Sequence, residues 1–472
     1  MIKKIFNKFR NRIEIAEKGK QIKVTCVGGA EMVTGSNFLV EFEDKKILID
    51  CGLPQGSDVH QEDIWKDFPY ESSKINFLLV THAHLDHIGK IPFLIKQGFN
   101  GRIISTKATR EIARESMFDT YNVLVSDYIK KGIPDQIPYT GEEVEVSLGL
   151  WHNLEYRDVL EIFPGVAIKF FNSEHILGSA MIQLNIHGKK VLFTGDMGDN
   201  SILLEPADIP TDSDYVFMET VYGGRVHEHL DERKKNLEMA IHDIIKDRGT
   251  MVIPAFSIER TQEILSEIND FVEERKIPVI PVYLDSPLSI SITHVFYRFK
   301  NLLNKEMKEK MRRGDDIFNF PGLHMSHTRD ESIHINDIPG PKIVIAGSGM
   351  MAGGRVMHHV RQYIEKPFNT ILFVGYQAVG TLGRKIQSGE KRVFIKGEEI
   401  HVKAEIKTLS GYSAHRDQNS LLEFVNIVKN KAKKIFLILG DNDSLDAFNA
   451  KVKTEFNIDT HICRDKEEIV LE

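Results

Sequence analysis

Short apolar runs that stop abruptly at a glycine, a carboxylate or an imidazole recur along the chain. Ile22–Gly28 reads as a strand closing on the Gly28-Gly29 turn, and residues 37–43 and 46–50 read as a strand pair joined by a charged turn. The next apolar run, residues 75–80, gives way to Gly89 and a helix-like stretch over 90–97. Residues 106–131 carry a helical period, with Ala108, Ile112, Ala113 and Met117 among the apolar positions. Residues 132–165 have no clear period. Three further runs, 167–171, 191–194 and 215–219, again read as strands.

From about residue 223 the pattern changes. Residues 225–248 read as a helix, and 250–263 as a strand turning into a helix. Residues 278–284, 342–346 and 370–374 read as strands separated by helical stretches. Such alternation predicts a second, largely parallel α/β domain. The loop 347–355 is glycine-rich but lacks the spacing of a nucleotide-binding turn. It is read as a tight strand-to-helix turn lining a cleft, where the backbone can approach a phosphate chain. A last apolar strand, 434–439, runs into Gly440-Asp441.

A length of 472 residues allows two to four domains. The net charge of -7 excludes a globally basic surface, so nucleic-acid binding would need a local groove. Cys26, Cys51 and Cys463 form no CxxC pair, which fits a reducing cytoplasm. No apolar run reaches the roughly 18 residues that span a bilayer. Residues 1–12 are basic and lack the apolar stretch of a signal peptide, so residues 1–20 are read as an N-terminal extension.

The chemistry concentrates at the strand ends. His82, His84, Asp86 and His87 place four metal-capable side chains within six residues. Imidazoles at i and i+2 cannot share a helix face, but at a strand end they can converge on one ion. His175, Asp196 and Glu219 each follow or end an apolar strand, and Asp50 does the same. Alone, each has an ordinary explanation as a packed or surface residue. Together they repeat one arrangement, with ligands at the carboxyl ends of strands.

Asp50, His82-x-His84-x-Asp86-His87, His175 and Asp196 resemble, in order, the signature motifs of the metallo-β-lactamase superfamily. Residues 254–263, 285–287, 348–355 and 375–383 resemble the β-CASP insertion of its nucleic-acid-processing members, above all the RNA-acting mRNA 3′-end-processing branch. Glu219 falls on motif A and His415 on motif B. The resemblance implies an αββα sandwich over 21–222, completed by 406–472, with an inserted α/β β-CASP domain over 223–405. It departs at motif C, where Leu439 stands in place of a histidine, as an apolar residue does in the DNA-acting branch.

The resemblance implies two zinc ions, with Mn2+ as a substitute: His82, His84 and His175 on the first, Asp86 and His87 on the second, and Asp196 bridging. Leucine cannot bind zinc, so the second ion is expected to bind more weakly. Hydrolysis of a phosphodiester needs hydroxide near neutrality, and zinc lowers the pKa of bound water from roughly 15.7 to about 7. Asp50 is expected to orient a ligand. His415, oriented by Glu219, is the candidate general acid. Arg260, Ser348, Gly349, Arg355, Arg384, Lys385 and Ser413 are the substrate-binding candidates. The expected activity is endonucleolytic cleavage of single-stranded RNA in the cytoplasm. DNA cleavage is the alternative because of Leu439, and a non-catalytic nucleic-acid-binding scaffold or a small-molecule hydrolase are competing readings. A homodimer is compatible with the sequence.

Overall fold

A computed structural model describes residues 21–56, 64–227, 230–375, 377 and 380–472. The N-terminal extension lies outside the described residues.

Two seven-stranded sheets face each other. The first runs, edge to edge, Glu468–Leu471, Ile22–Gly28, Asn37–Phe42, Lys45–Ile49, Phe77–Leu79, Arg102–Ser105 and Trp151–Asn153. The second runs Thr460–Ile462, Lys434–Ile438, Tyr215–Glu219, Lys189–Phe193, Ala180–Ile186, Val166–Asn172 and Val159–Phe163. Their inner faces share one core, with Val24, Phe38, Val40, Ile47 and Leu79 opposite Phe170, Ile182, Val191, Phe193 and Phe217. Inner strands such as Tyr215–Glu219 and Lys434–Ile438 bury both faces and read as nearly continuous apolar runs, whereas Ile22–Gly28 and the edge strand Glu468–Leu471 bury alternate positions.

Helices cover the outer faces. Lys107–Lys130 starts where Thr106 Oγ1 accepts the Thr109 N–H, and buries Ala108, Ile112, Ala113 and Met117 on the first sheet's side. Gln418–Val428 and Asn442–Glu455 cover the second sheet through Leu421, Val425, Leu445 and Phe448, packed with Leu192, Val216 and Leu437. The αββα sandwich implied by the sequence is therefore present. The final strands belong to both sheets: Glu468–Leu471 pairs antiparallel with Ile22–Gly28, and Lys434–Ile438 pairs parallel with Tyr215–Glu219. Within the stretch that lacked a clear period, Gly141–Gly149 is helical and Trp151–Asn153 and Val159–Phe163 are strands.

A third sheet of six strands is wholly parallel, in the order Leu323–Met325, Val282–Leu284, Lys342–Ala346, Thr250–Pro254, Thr370–Phe373, Glu405–Thr408. Helix Leu230–Asp247 precedes it and Arg260–Glu273 follows its first strand. Helix Pro287–Arg298 packs on Lys107–Lys130, joining this α/β layer to the sandwich. Arg260–Phe271 is buried along its whole length, charged residues included. Among the described residues, no helix is long and apolar enough to cross a membrane.

Candidate metal centre

The strand ends converge at one rim of the sandwich. Asp50 follows Lys45–Ile49, His82 follows Phe77–Leu79, His175 follows Val166–Asn172, Asp196 follows Lys189–Phe193, and Glu219 ends Tyr215–Glu219. Asp86 and His87 sit in a single helical turn, Leu85–Ile88, capped by His84. His84, outside the turn with an extended backbone, sets its Nδ1 beside His82 and His175, while His87, inside the turn, sets its Nε2 beside Asp196 and Asp86.

Two glycines allow the loops to close on one another. A Cβ on Gly52 would lie 1.6 Å from the Asp86 carbonyl oxygen, and one on Gly198 would lie 2.0 Å from that of Glu174. Only glycine lets the backbone pack this closely.

His82 Nε2 and His175 Nε2 lie 3.1 and 3.0 Å from His84 Nδ1. Asp196 Oδ2 lies 3.5 Å from His82 Nε2 and 3.4 Å from His175 Nε2. Ligand atoms about 2.05 Å from a tetrahedral zinc are spaced about 3.3 Å apart, so this set fits the edges of one zinc tetrahedron. Burial drives His82 and His175 well below the ordinary imidazole range and His84 down to about 3, which leaves their lone pairs free.

A second set is built around the other oxygen of Asp196. Asp196 Oδ1 lies 3.3 Å from His87 Nε2, and Asp86 Oδ2 lies 3.9 Å from the same nitrogen. His87 Nε2 and Asp196 Oδ1 are buried without a hydrogen-bond partner, the expected condition of atoms directed at a cation. Asp196 thus faces both positions. Burial opposes its ionised form, but His87 and His82 outweigh burial and hold it well below the usual carboxylate range.

Asp50 orients the second set. Its Oδ2 lies 2.7 Å from His87 Nδ1, and it also accepts the Thr81 N–H at 2.8 Å, the Thr81 hydroxyl at 2.9 Å and the Ser36 hydroxyl at 3.1 Å. A carboxylate on Nδ1 keeps a proton there and turns Nε2 toward Asp196 Oδ1. His175 Nδ1 is similarly backed by the Ala414 carbonyl at 3.4 Å.

His415 stands beside both sets. Its Nδ1 lies 3.3 Å from Glu219 Oε1 and 4.0 Å from Asp196 Oδ2. Burial opposes its charge, but Glu219 and then Asp196 outweigh burial and lift its imidazole to about 9. Glu219 is fully buried and accepts the Met197 N–H at 2.6 Å.

The remaining candidates occupy different settings. Ser413 Oγ accepts the His415 N–H at 3.3 Å. Arg260 acts electrostatically on His84 and His175, while its guanidinium pairs with Glu263. The Arg355 fork is taken up by Asp285 at 2.6 Å and by the Ser326 and His327 carbonyls, each at 2.9 Å. Ser348 and Gly349 lie in the loop after Lys342–Ala346, and Gly349 packs against Phe256. Arg384 and Lys385 are exposed on helix Leu382–Gln387. Ser36, Thr81 and the Ala414 carbonyl were not legible as site groups, because their role is to hold other side chains and they carry no spacing of their own.

Leu439 follows Lys434–Ile438 with a left-handed backbone (φ 50°) and is fully buried. Its N–H donates to the Gly29 carbonyl at 2.7 Å, and its side chain packs over Gly29 in the inter-sheet core.

Residues 32–245 match the metallo-beta-lactamase superfamily, residues 261–386 the Beta-Casp domain, and residues 399–463 the Zn-dependent metallo-hydrolase RNA specificity domain. The chain is 30% identical to Ribonuclease TTHA0252 of Thermus thermophilus, over 90% of this chain and 94% of the relative. It is 31% identical to Transcription termination factor FttA of Methanosarcina mazei, over 97% of this chain and 73% of the relative. It is 27% identical to Cleavage and polyadenylation specificity factor 73 of Drosophila melanogaster, over 94% of this chain and 63% of the relative.

Proposed function

The chain belongs to the β-CASP branch of the metallo-β-lactamase superfamily, and from that premise we propose that it is a zinc-dependent ribonuclease that cleaves single-stranded RNA endonucleolytically. The observation that carries the proposal is the convergence of His82, His84, His175 and Asp196 at 3.0–3.5 Å, with the His415–Glu219 pair alongside. The resemblance of residues 399–463 to an RNA specificity domain and the similarity to a protein named as a ribonuclease support RNA as substrate.

His82, His84 and His175 with Asp196 would hold the first zinc, and Asp86 and His87 with Asp196 the second. When bound, the ions supply water activation and charge neutralisation at the attacked phosphate. The chain's own groups do the rest. Asp50 holds the proton of His87 on Nδ1. Glu219 holds the imidazolium of His415, which delivers a proton to the leaving oxygen; proton transfer of this kind contributes about 10²–10⁴-fold. Arg260, buried and paired with Glu263, acts on the site from within rather than on a phosphate. Ser348, Gly349, Arg384, Lys385 and Ser413 are assigned to the RNA backbone, where contacts give affinity and register without reading sequence. Arg355 could join them only by competing with Asp285 for its own fork. The three cysteines are buried and unpaired, in keeping with a reducing cytoplasm.

DNA is the second reading, favoured by Leu439 at the motif C position. Matched single-stranded RNA and DNA oligonucleotides, incubated with zinc or manganese, test both. We expect wild type to cut the RNA internally and the Asp86→Ala, His87→Ala double variant to be inactive. Equal inactivity of both proteins on both polymers would defeat the nuclease reading, and cleavage of DNA alone would reverse the substrate assignment.

A further inference from the structure

A chain of buried charge links the six-stranded layer to both catalytic loops. Arg233, on helix Leu230–Asp247, is 2% exposed. Its Nη2 donates to Glu267 Oε1 at 2.6 Å and its Nη1 to the Gly411 carbonyl at 3.0 Å. Its guanidinium lies 4.1 Å from the centre of the Tyr412 ring, and the Tyr412 hydroxyl donates to Glu267 Oε2. Gly411 and Tyr412 lead directly into Ser413 and His415.

The chain continues toward the metal centre. Arg233 Nη1 lies 3.9 Å from Glu263, which pairs with Arg260. The neighbouring Glu259 accepts the Leu177 N–H at 3.1 Å, two residues beyond His175. Burial, reinforced by Glu263, lifts the Glu259 carboxyl to about 8 and keeps it neutral near pH 7. The carboxylates of Glu263 and Glu267 then balance the guanidinia of Arg233 and Arg260. An ion network this deeply buried gives little net stability over apolar packing, which directs attention to what its geometry holds in place.

We propose that Arg233, acting through Glu267, Tyr412 and the Gly411 carbonyl, is a positioning residue that sets His415 against Glu219. The planar guanidinium holds Gly411 and Glu267 in fixed directions through two separate nitrogens, whereas a lysine ammonium offers rotatable donors on a single nitrogen. The second α/β layer thereby acts as a jig for the proton donor as well as a wall of the cleft.

The inference rests on the nuclease reading, and the test separates the two. Arg233→Lys and Tyr412→Phe are compared with wild type on single-stranded RNA and on bis(p-nitrophenyl) phosphate. The leaving nitrophenolate of the second substrate needs no proton, so a displaced His415 matters only for RNA. Small displacements of a reacting group cost up to about a hundredfold. For Arg233→Lys we expect kcat on RNA to fall roughly ten- to a hundredfold, with KM within about twofold, and for Tyr412→Phe a smaller fall in the same pattern. Turnover of the aryl diester and zinc per protein should stay at wild-type values. A parallel loss on both substrates, a loss of zinc, or unchanged RNA cleavage in both variants would overturn the proposal. A crystal structure of Arg233→Lys reads the positioning directly: His415 Nδ1 should move out of hydrogen-bond reach of Glu219. Retention of the 3.3 Å separation overturns the proposal, including when wild type is inert on RNA and the nuclease reading itself has failed.

Discussion

Asp50→Asn is the sharpest perturbation of the site, because it changes one atom and reverses one hydrogen bond. The Asp50 carboxylate accepts from the Thr81 N–H, the Thr81 and Ser36 hydroxyls and His87 Nδ1, at 2.7–3.1 Å. If the asparagine oxygen keeps the Thr81 N–H, its amide NH₂ faces His87 Nδ1. The imidazole must then accept there and carry its proton on Nε2, facing Asp196 Oδ1. The opposite amide orientation sets NH₂ against the Thr81 N–H. A buried hydrogen bond to a charged group contributes about 1.5–3 kcal/mol. Replacing the partner of a metal-binding histidine costs about 10–100-fold in metal affinity, or about 1.4–2.7 kcal/mol, and the two figures overlap. We therefore expect Asp50→Asn to bind one zinc as wild type does and to bind the second about 10–100-fold more weakly. Equilibrium dialysis against buffered zinc with elemental analysis measures this, and a parallel melting curve shows whether the fold is retained. Wild-type affinity at both positions, or equal weakening of both, would refute the assignment of Asp50 chiefly to His87, its direct partner, rather than to His82, which it reaches only through the Thr81 hydroxyl.

Three further outcomes follow from the same geometry. His415→Ala should reduce kcat on RNA by about 10²–10⁴-fold while leaving zinc content unchanged, as measured by single-turnover cleavage alongside metal analysis; a large zinc loss would make His415 a ligand instead. Leu439→His would add a nitrogen donor that leucine lacks, on a left-handed backbone that histidine adopts more readily, and should tighten the second zinc if the side chain turns from the core toward His87; unchanged zinc titration would count against the missing-ligand account. Gly198→Ala should part the Asp196 and His175 loops, because its Cβ would fall 2.0 Å from the Glu174 carbonyl, and should lower both melting temperature and zinc content; a wild-type melting curve would refute the close-packing argument.

The candidate ligands were legible because metal chemistry restricts residue type and spacing. Three histidines and an aspartate between residues 82 and 87 have few other uses, and the apolar runs before Asp50, His175, Asp196 and Glu219 announced strand ends. The sandwich was legible for a related reason, since inner strands such as Tyr215–Glu219 and Lys434–Ile438 are buried on both faces and so are largely apolar. The motif C departure was visible in the sequence too, because leucine has no lone pair for zinc.

The groups that hold the ligands in place were not legible. Arg233 reads as one more charge on an amphipathic helix, yet it is buried and reaches Gly411, 178 residues away. Ser36, Thr81 and the Ala414 carbonyl are chemically ordinary, and only the folded chain brings them to Asp50 and His175. Arg355 looked free to meet a phosphate until the fold placed Asp285 against it. The sequence by itself determined which atoms can bind metal, because that depends on side-chain chemistry and on strand ends set by local pattern. Tertiary structure alone decided which nitrogen of each imidazole turns toward the neighbouring candidate ligands and which charges remain available to a substrate. Those depend on contacts between residues far apart in the chain, which no local pattern encodes.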